Sequence, residues 1–292
     1  MTDQTGYGLW TTVRLLPRDP AERGAVAKAV EDMGFASLWI GGSPGDLELH
    51  EALLAGSERL VVASGIVEIW SNPAEVVAAA HQRVTSRYPG RFLLGLGAGH
   101  ARMVEARGQR YDRPVAKLRS YLDELDAAQP PVPSGERILA ALGPKVLQLS
   151  ADRAAGAHPY CTNPAHTAEA RALMGPSAQL LPDQKVYFGT DPTTARAVAR
   201  KGLAIYLGLP NYVNNFRRMG FDDDDFADGG SDRILDTLVA WGSDEAVAAR
   251  LKEHLDAGAT EVLAQVLTAE DAGPGTPPLD AWRHAAEVLF GS

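Results

Sequence analysis

The residues best suited to chemistry lie in Gly95-Leu96-Gly97-Ala98-Gly99-His100, where three glycines alternate and a histidine closes the run. Glycine lets a backbone pass close to a planar ring or to another chain segment. A glycine-rich turn without a ligand is the alternative. The run is not a dinucleotide fingerprint, because His100 stands at the third glycine position and the next clear helix is expected near Pro114. His100 has the number parity of Leu94 and Leu96 and falls where a strand opens into solvent, so it is a candidate catalytic group. A loop histidine also serves as an exposed or structural hydrogen bonder.

Alternation along Leu60 to Trp70 puts Val62, Ser64, Ile66 and Glu68 on one face, with Val61, Ala63, Gly65, Val67 and Ile69 on the other. The second set suits a helix layer, which would turn Ser64 and Glu68 inward. Glu68 then either orients a bound molecule or is a solvated strand end, since an unpaired buried carboxylate is costly. Ala141-Leu142-Gly143-Pro144 enters a helical stretch whose first N–H groups suit a phosphate. Proline there is also simply a good helix start. His158-Pro159-Tyr160 offers a ring and a phenol at one strand end, whereas Trp10, Trp39 and Trp70 also fit as core aromatics. The chain carries no Walker loop or zinc-spaced histidine pair. Asp222 to Asp225 misses a calcium loop, with Phe226 in the fifth place, and reads as a helix N-terminus.

Eight short apolar runs alternate with helical segments, the order that builds a parallel sheet with crossover helices. The strands are Tyr7 to Val13, Ala36 to Ile40, Leu60 to Ile69, Arg91 to Gly97, Arg137 to Leu142, Gly156 to Cys161, Gln184 to Gly189 and Thr260 to Leu267. Asp19-Pro20, Asn72-Pro73 and Asn163-Pro164 mark helix starts, and Gly34 and Gly258 mark helix ends. The expected fold is one α/β domain over residues 1–292, a (β/α)8 TIM barrel whose site lies at the C-terminal strand ends. About 70 residues between strands seven and eight exceed a single crossover. They are read as a helical insertion over residues 191–241, with helices Asp191 to Leu207 and Ser231 to Trp241, covering the mouth.

A length of 292 residues and 45% hydrophobic content allow one large core. With 28 basic against 37 acidic residues the formal net charge is -9, the wrong sign for nucleic acid. A single cysteine, Cys161, needs no oxidising compartment. With neither a signal peptide nor an apolar run of about 18 residues, the expectation is a cytoplasmic protein without a membrane partner.

Taken in order, these segments resemble the luciferase-like monooxygenase superfamily, and within it the deazaflavin (coenzyme F-420)-dependent oxidoreductases of actinobacterial type. The resemblance rests on Gly8-Leu9-Trp10-Thr11, Glu31-Asp32-Met33-Gly34-Phe35, Leu38-Trp39-Ile40-Gly41 and Val62-Ala63-Ser64-Gly65-Ile66. It continues through Ile69-Trp70, Pro89 to Gly97, Tyr111-Asp112-Arg113-Pro114, Gly156-Ala157-His158-Pro159-Tyr160 and Leu209-Pro210-Asn211-Tyr212. It implies a cofactor ring across the barrel mouth, backed by a non-proline cis peptide at Gly65-Ile66, with the phosphate at Gly143. The residues so implicated are Trp10, Ser64, Gly65, Ile66, Gly97, Gly99, Leu142, Gly143, Pro144, His158 and Tyr160. The implied activity is hydride transfer between coenzyme F-420 and a small organic substrate, with His100 or Glu68 orienting substrate or ring. The alternatives are an FMN-dependent monooxygenase fed by a separate reductase, or a non-catalytic cofactor-binding or assembly barrel. Family analogy implies a homodimer. Where several relatives end strand two with an acid/base residue, this chain has Gly41-Gly42-Ser43, so that role does not carry over.

Overall fold

Strands buried on both faces belong in a parallel sheet wrapped by helices, and Ser37–Gly41 and Gly156–His158 are buried throughout. The computed structural model describes residues 6–270 and 272–291. Its strands are β1 (Tyr7–Thr12), β2 (Ser37–Gly41), β3 (Val61–Ser64), β4 (Val67–Glu68), β5 (Phe92–Gly97), β6 (Arg137–Ala140) and β7 (Gly156–His158). They continue as β8 (Gln179–Leu180), β9 (Asp183–Phe188), β10 (Val239–Gly242) and β11 (Val262–Val266). The hydrogen-bonded order is β10-β9-β11-β1-β2-β3-β5-β6-β7-β8, with β4 on β5.

The ends of that order meet. Only Leu181 and Pro182 separate β8 from β9, and the amides of Leu181 and Asp183 donate to the carbonyls of Ala157 and Pro159 at 2.9 and 3.0 Å. On the opposite flank the amides of Thr260 and Leu263 donate to the carbonyls of Leu180 and Pro182 at 2.8 and 2.9 Å. Residues 179–188 are therefore one strand bonded on both sides, and eight parallel strands close a barrel. Each of the eight apolar runs supplies one of them, with β3 and β4 sharing the third.

Two details differ from the sequence expectation. The segment after β9 contains helices, but Ser231 to Trp241 is not one of them throughout: helix Asp232–Leu238 ends and β10 begins, paired with β9 from Val239↔Lys185 onward. The free edge of β9 takes those backbone groups, which periodicity alone does not reveal. Asn72 does not cap helix Ala74–Arg87; its amide instead donates to the Glu68 carbonyl at 2.7 Å and its Oδ1 accepts from the Gly45 amide at 3.1 Å. Asp19 and Asn163 do cap their helices, and Gly34 and Gly258 take φ of +93° and +97°. Asp222 forms a capping box with Asp225 at the start of helix Asp223–Phe226. Among the described residues no helix is long and apolar enough to cross a membrane.

Two apolar layers hold the barrel. Leu9, Leu38, Val62, Leu94 and Leu96 pack outward on helix residues such as Val30, Leu53, Val77 and Leu122. Trp10, Trp39, Ala63, Ile138 and Leu263 pack inward, in one cluster with Leu207, Tyr212, Phe216 and Leu235 of the segment after β9. That segment is thus tied to the barrel interior, which sets its height above the strand ends.

At the opposite end, Ser37 Oγ donates to Glu261 Oε1 at 2.5 Å and accepts from Trp39 Nε1 at 2.9 Å. Burial pushes the Glu261 carboxyl up to about 7. Folding therefore takes up a proton between about pH 4.5 and 7, and this group's contribution to stability is lost as pH rises through that window. Glu261→Gln keeps the acceptor without the charge. It is expected to add about 2 kcal/mol at pH 8, several degrees of Tm, and close to nothing at pH 4.5. Thermal melts across pH check this; equal effects at both pH values would count against it.

Candidate functional site

The C-terminal strand ends surround a cavity of about 790 Å³. Its wall is built from the residues just past β1, β2, β5 and β6, from Gly65, Ile66, Glu68, His158 and Tyr160, and from Ile205, Tyr206, Asn211, Tyr212, Asn214 and Arg218 of the segment after β9.

The floor is set by side chains that need absent ones. The Trp10 indole lies so close to Gly41 and Gly65 that a Cβ on either would sit 2.3 Å from the ring or 2.9 Å from Nε1. Trp10 packs on Tyr160 at 5.0 Å, and its buried Nε1–H has no partner among the described residues. His158 sits beside Trp39 and Tyr160, with centroids 5.0 and 6.1 Å away, and its Nδ1 is 2.7 Å from the Leu181 carbonyl. A carbonyl only accepts, so Nδ1 carries the proton and the buried Nε2, unpartnered among the described residues, is a bare acceptor. Burial holds the His158 pKa below the usual histidine range, which favours this neutral form.

His100 lines the cavity, although not for the parity reason. Leu94 and Leu96 face the helix layer, while Leu93 packs on the interior cluster. His100 is brought round because the chain turns at Gly99, φ +64°, and enters helix Ala101–Glu105 directly, earlier than the expected start near Pro114. Its ring lies 5.7 Å from Tyr212 and its Nδ1 is buried without a partner among the described residues. Burial lowers its pKa, against a hydrogen bond with Asn211 and the Glu68 charge, which both raise it.

Glu68 also lines the cavity but is already engaged. It accepts from Arg107 at 2.6 Å, from the Ser71 hydroxyl and from the Trp70 amide. The Gly65–Ile66 peptide is cis, and the third strand breaks there into β3 and β4. The break shifts the alternation: Val62 faces the helix layer and Ala63 the interior, opposite to the expected faces, while Ile66 and Glu68 still reach the cavity. Ser64 does not reach it. Its hydroxyl is spent on the Gly95 carbonyl and amide at 2.9 and 2.8 Å. The glycines of β5 accordingly make room first for the protein itself. A Cβ on Gly95 would meet the Ser64 carbonyl oxygen at 1.8 Å, and one on Gly97 would meet Ile66 at 3.0 Å.

Helix Pro144–Arg153 starts at Gly143 without a side-chain cap among the described residues, and Gly143 and Val146 line the cavity, so this helix start lies at its edge. The exposed Arg218 lies over this start, its guanidinium 3.2 Å from where a Gly143 Cβ would be, with its Nη2 donating to Asn215 Oδ1 at 2.9 Å. Leu142 and Gly143 line the cavity, whereas Pro144 is exposed outside it. The arrangement suits a phosphate or carboxylate. Arg218 was not foreseen; its only sequence signal was its place on the amphipathic helix Pro210–Arg218.

Below Tyr160 is a buried pair, Lys185 Nζ on Asp183 Oδ2 at 2.8 Å, with the ammonium 3.6 Å from the Tyr160 ring centroid. Asp183 also accepts from the Cys161 amide at 2.6 Å. Tyr160 Oη donates to Gln265 Oε1 at 2.9 Å and lies 3.2 Å from Tyr206 Oη.

Over residues 4–261 the chain matches the family described as luciferase-like monooxygenase. Its fold is similar to the coenzyme F-420-dependent tetrahydromethanopterin reductase from Methanopyrus kandleri, with TM-score 0.75 and 16% identity over 98% of each chain. It is similar to an F-420-dependent secondary alcohol dehydrogenase in complex with an F-420–acetone adduct, with TM-score 0.70 and 13% identity over 98% of this chain and 97% of that one. A third structure is the oxygenating constituent of 3,6-diketocamphane monooxygenase from Pseudomonas putida in complex with FMN, at TM-score 0.67 and 12% identity over 97% of each chain.

Proposed function

The chain belongs to the luciferase-like monooxygenase family, and from that premise we propose that it is an oxidoreductase transferring a hydride between the deazaflavin coenzyme F-420 and a small organic substrate. The observation that carries this reading is the set of three unpartnered ring nitrogens around one cavity: a donor at Trp10 Nε1, an acceptor at His158 Nε2, and His100 Nδ1. Buried polar groups are normally satisfied, and a flat heteroaromatic ring with polar edges would satisfy these. The cavity residues fit such a group, and Arg218 with the start of helix Pro144–Arg153 would hold its phosphate. Bound there, the deazaflavin would supply hydride transfer at a ring carbon. Trp10, Ile66 and Tyr160 would fix the ring plane, and Tyr206 and Tyr212 would limit water at the mouth. His100, kept neutral by burial, would hydrogen-bond ring or substrate rather than carry charge.

A second reading is an FMN-dependent monooxygenase fed by a separate reductase, favoured by the family's description and by the FMN complex among its fold relatives. Oxygen uptake separates the two. Protein loaded with reduced deazaflavin is expected to reduce small organic acceptors without consuming oxygen; rapid oxygen uptake with reduced FMN and none of that reduction would reverse the choice. Turnover of any substrate also excludes a purely cofactor-binding or assembly barrel. His100→Ala is expected to leave the Tm within about 1 °C while weakening cofactor binding or turnover about tenfold, the loss of one hydrogen bond. Melts and titration of the same sample check it, and unchanged binding and rate would return His100 to a structural role.

A further inference from the structure

Hydride transfer to a carbonyl needs a proton for the oxygen, and most protic groups of the cavity are poorly placed to give one. Glu68 is held by Arg107, Ser71 and the Trp70 amide. The Ser43 hydroxyl donates to the Ile40 carbonyl at 2.6 Å and accepts from His50 Nε2 at 2.8 Å. His100 is biased toward its neutral form by burial.

Tyr206 is different. It lines the cavity, is half-buried, and its hydroxyl ends a chain running through Tyr160 to Gln265. As oriented, Tyr160 donates to Gln265 Oε1, so Tyr206 donates to Tyr160. A half-turn of the Gln265 amide presents its N–H instead and reverses the chain, which frees the Tyr206 proton for the cavity. Burial raises the pKa of both phenols, so both stay protonated near neutral pH. The Lys185 ammonium lies 3.6 Å from the Tyr160 ring centroid and 5.4 Å from that of Tyr206. Its counter-charge, Asp183, is bonded to it, and the neighbouring Cys161 thiol is pushed up to about 12 by burial and so is neutral.

We propose that Tyr206 is the proton donor to a carbonyl substrate and that Tyr160 and Gln265 form a reversible relay that draws the resulting negative charge inward toward Lys185. The proposal rests on the hydride-transfer reading. A bound reduced deazaflavin would supply the hydride to the carbonyl carbon; as the C=O π pair moves to oxygen, that oxygen takes the Tyr206 proton and the Tyr206 O–H bond breaks. Tyr160 passes its proton to Tyr206, and the Gln265 amide, already turned, donates its N–H to the new phenolate. A solvent proton then enters through Tyr206 and restores both phenols. The net change is carbonyl plus hydride plus proton to alcohol, with the deazaflavin oxidised.

The test uses the full chain as wild type, Tyr206→Phe and Tyr160→Phe, each labelled with 13C at tyrosine Cζ. The Tyr206 resonance, assigned by its loss in Tyr206→Phe, is expected to shift in Tyr160→Phe and to titrate at a different pH there. With reduced coenzyme F-420 and a panel of small ketones including acetone and cyclohexanone, Tyr206→Phe is expected to slow turnover on the order of 100-fold, to change the pH profile, and to leave the cofactor Kd unaltered. A Tyr206 resonance indifferent to Tyr160→Phe, unchanged turnover in Tyr206→Phe, or a wild type that binds the cofactor but reduces no ketone overturns the relay alone. A wild type that binds no cofactor overturns the hydride-transfer reading beneath it.

Discussion

Gly95→Ala is expected to destabilise the protein by about 3 kcal/mol, the upper end of the usual cost of overpacking a core. The added Cβ would lie 1.8 Å from the Ser64 carbonyl oxygen and 3.0 Å from its carbon, and both are backbone atoms with no rotamer to escape into. Relief requires moving β3 away from β5, which would also disturb Ser64 Oγ, bonded to both polar groups of Gly95. Gly135→Ala is the control, since no described residue lies within 4 Å of its Cβ position. Denaturant unfolding of the two variants measures the difference; equal stabilities would show that β3 and β5 do not meet as described.

Arg218→Ala should cost less in stability and more in binding. The side chain is exposed and lies over the start of helix Pro144–Arg153, so its removal leaves the core untouched. A charge-assisted bond from guanidinium to phosphate contributes about 1.5–3 kcal/mol, and a loss of 10- to 100-fold in affinity for coenzyme F-420 is expected. A phosphate-free deazariboflavin should bind wild type and variant alike. Comparable losses for both ligands would place Arg218 against the ring and remove the phosphate assignment.

The barrel was legible because its signals are local. Apolar runs such as Gly156 to Cys161, helix starts such as Asp19-Pro20 and helix ends such as Gly34 each depend on a few neighbouring residues. The site was less legible, for two physical reasons. Strand periodicity holds only while a strand is regular. The break at Gly65-Ile66 stops one alternation from running through Val62 and Ser64 to Ile66 and Glu68, and the outward turn of Leu94 and Leu96 removed the parity argument for His100, although the turn at Gly99 carried it to the cavity by another route. Long-range contacts also leave no spacing to read. Arg218 reaches Gly143 across 75 positions and Tyr160 reaches Gln265 across 105, and neither juxtaposition has a sequence signature. Ser64 fell on the expected segment yet serves the backbone of β5, which shows why position on a strand does not by itself give a role.

The central claim is that the cavity above Trp10, His158 and His100 holds a flavin-type ring. It is tested most directly by equilibrium fluorescence titration of the purified chain with coenzyme F-420 and, separately, with FMN. The expected result is saturable binding of the deazaflavin with Kd below about 100 μM, or about 5.5 kcal/mol, with quenching of tryptophan emission from the floor. Absence of binding by both cofactors at that concentration would contradict the claim.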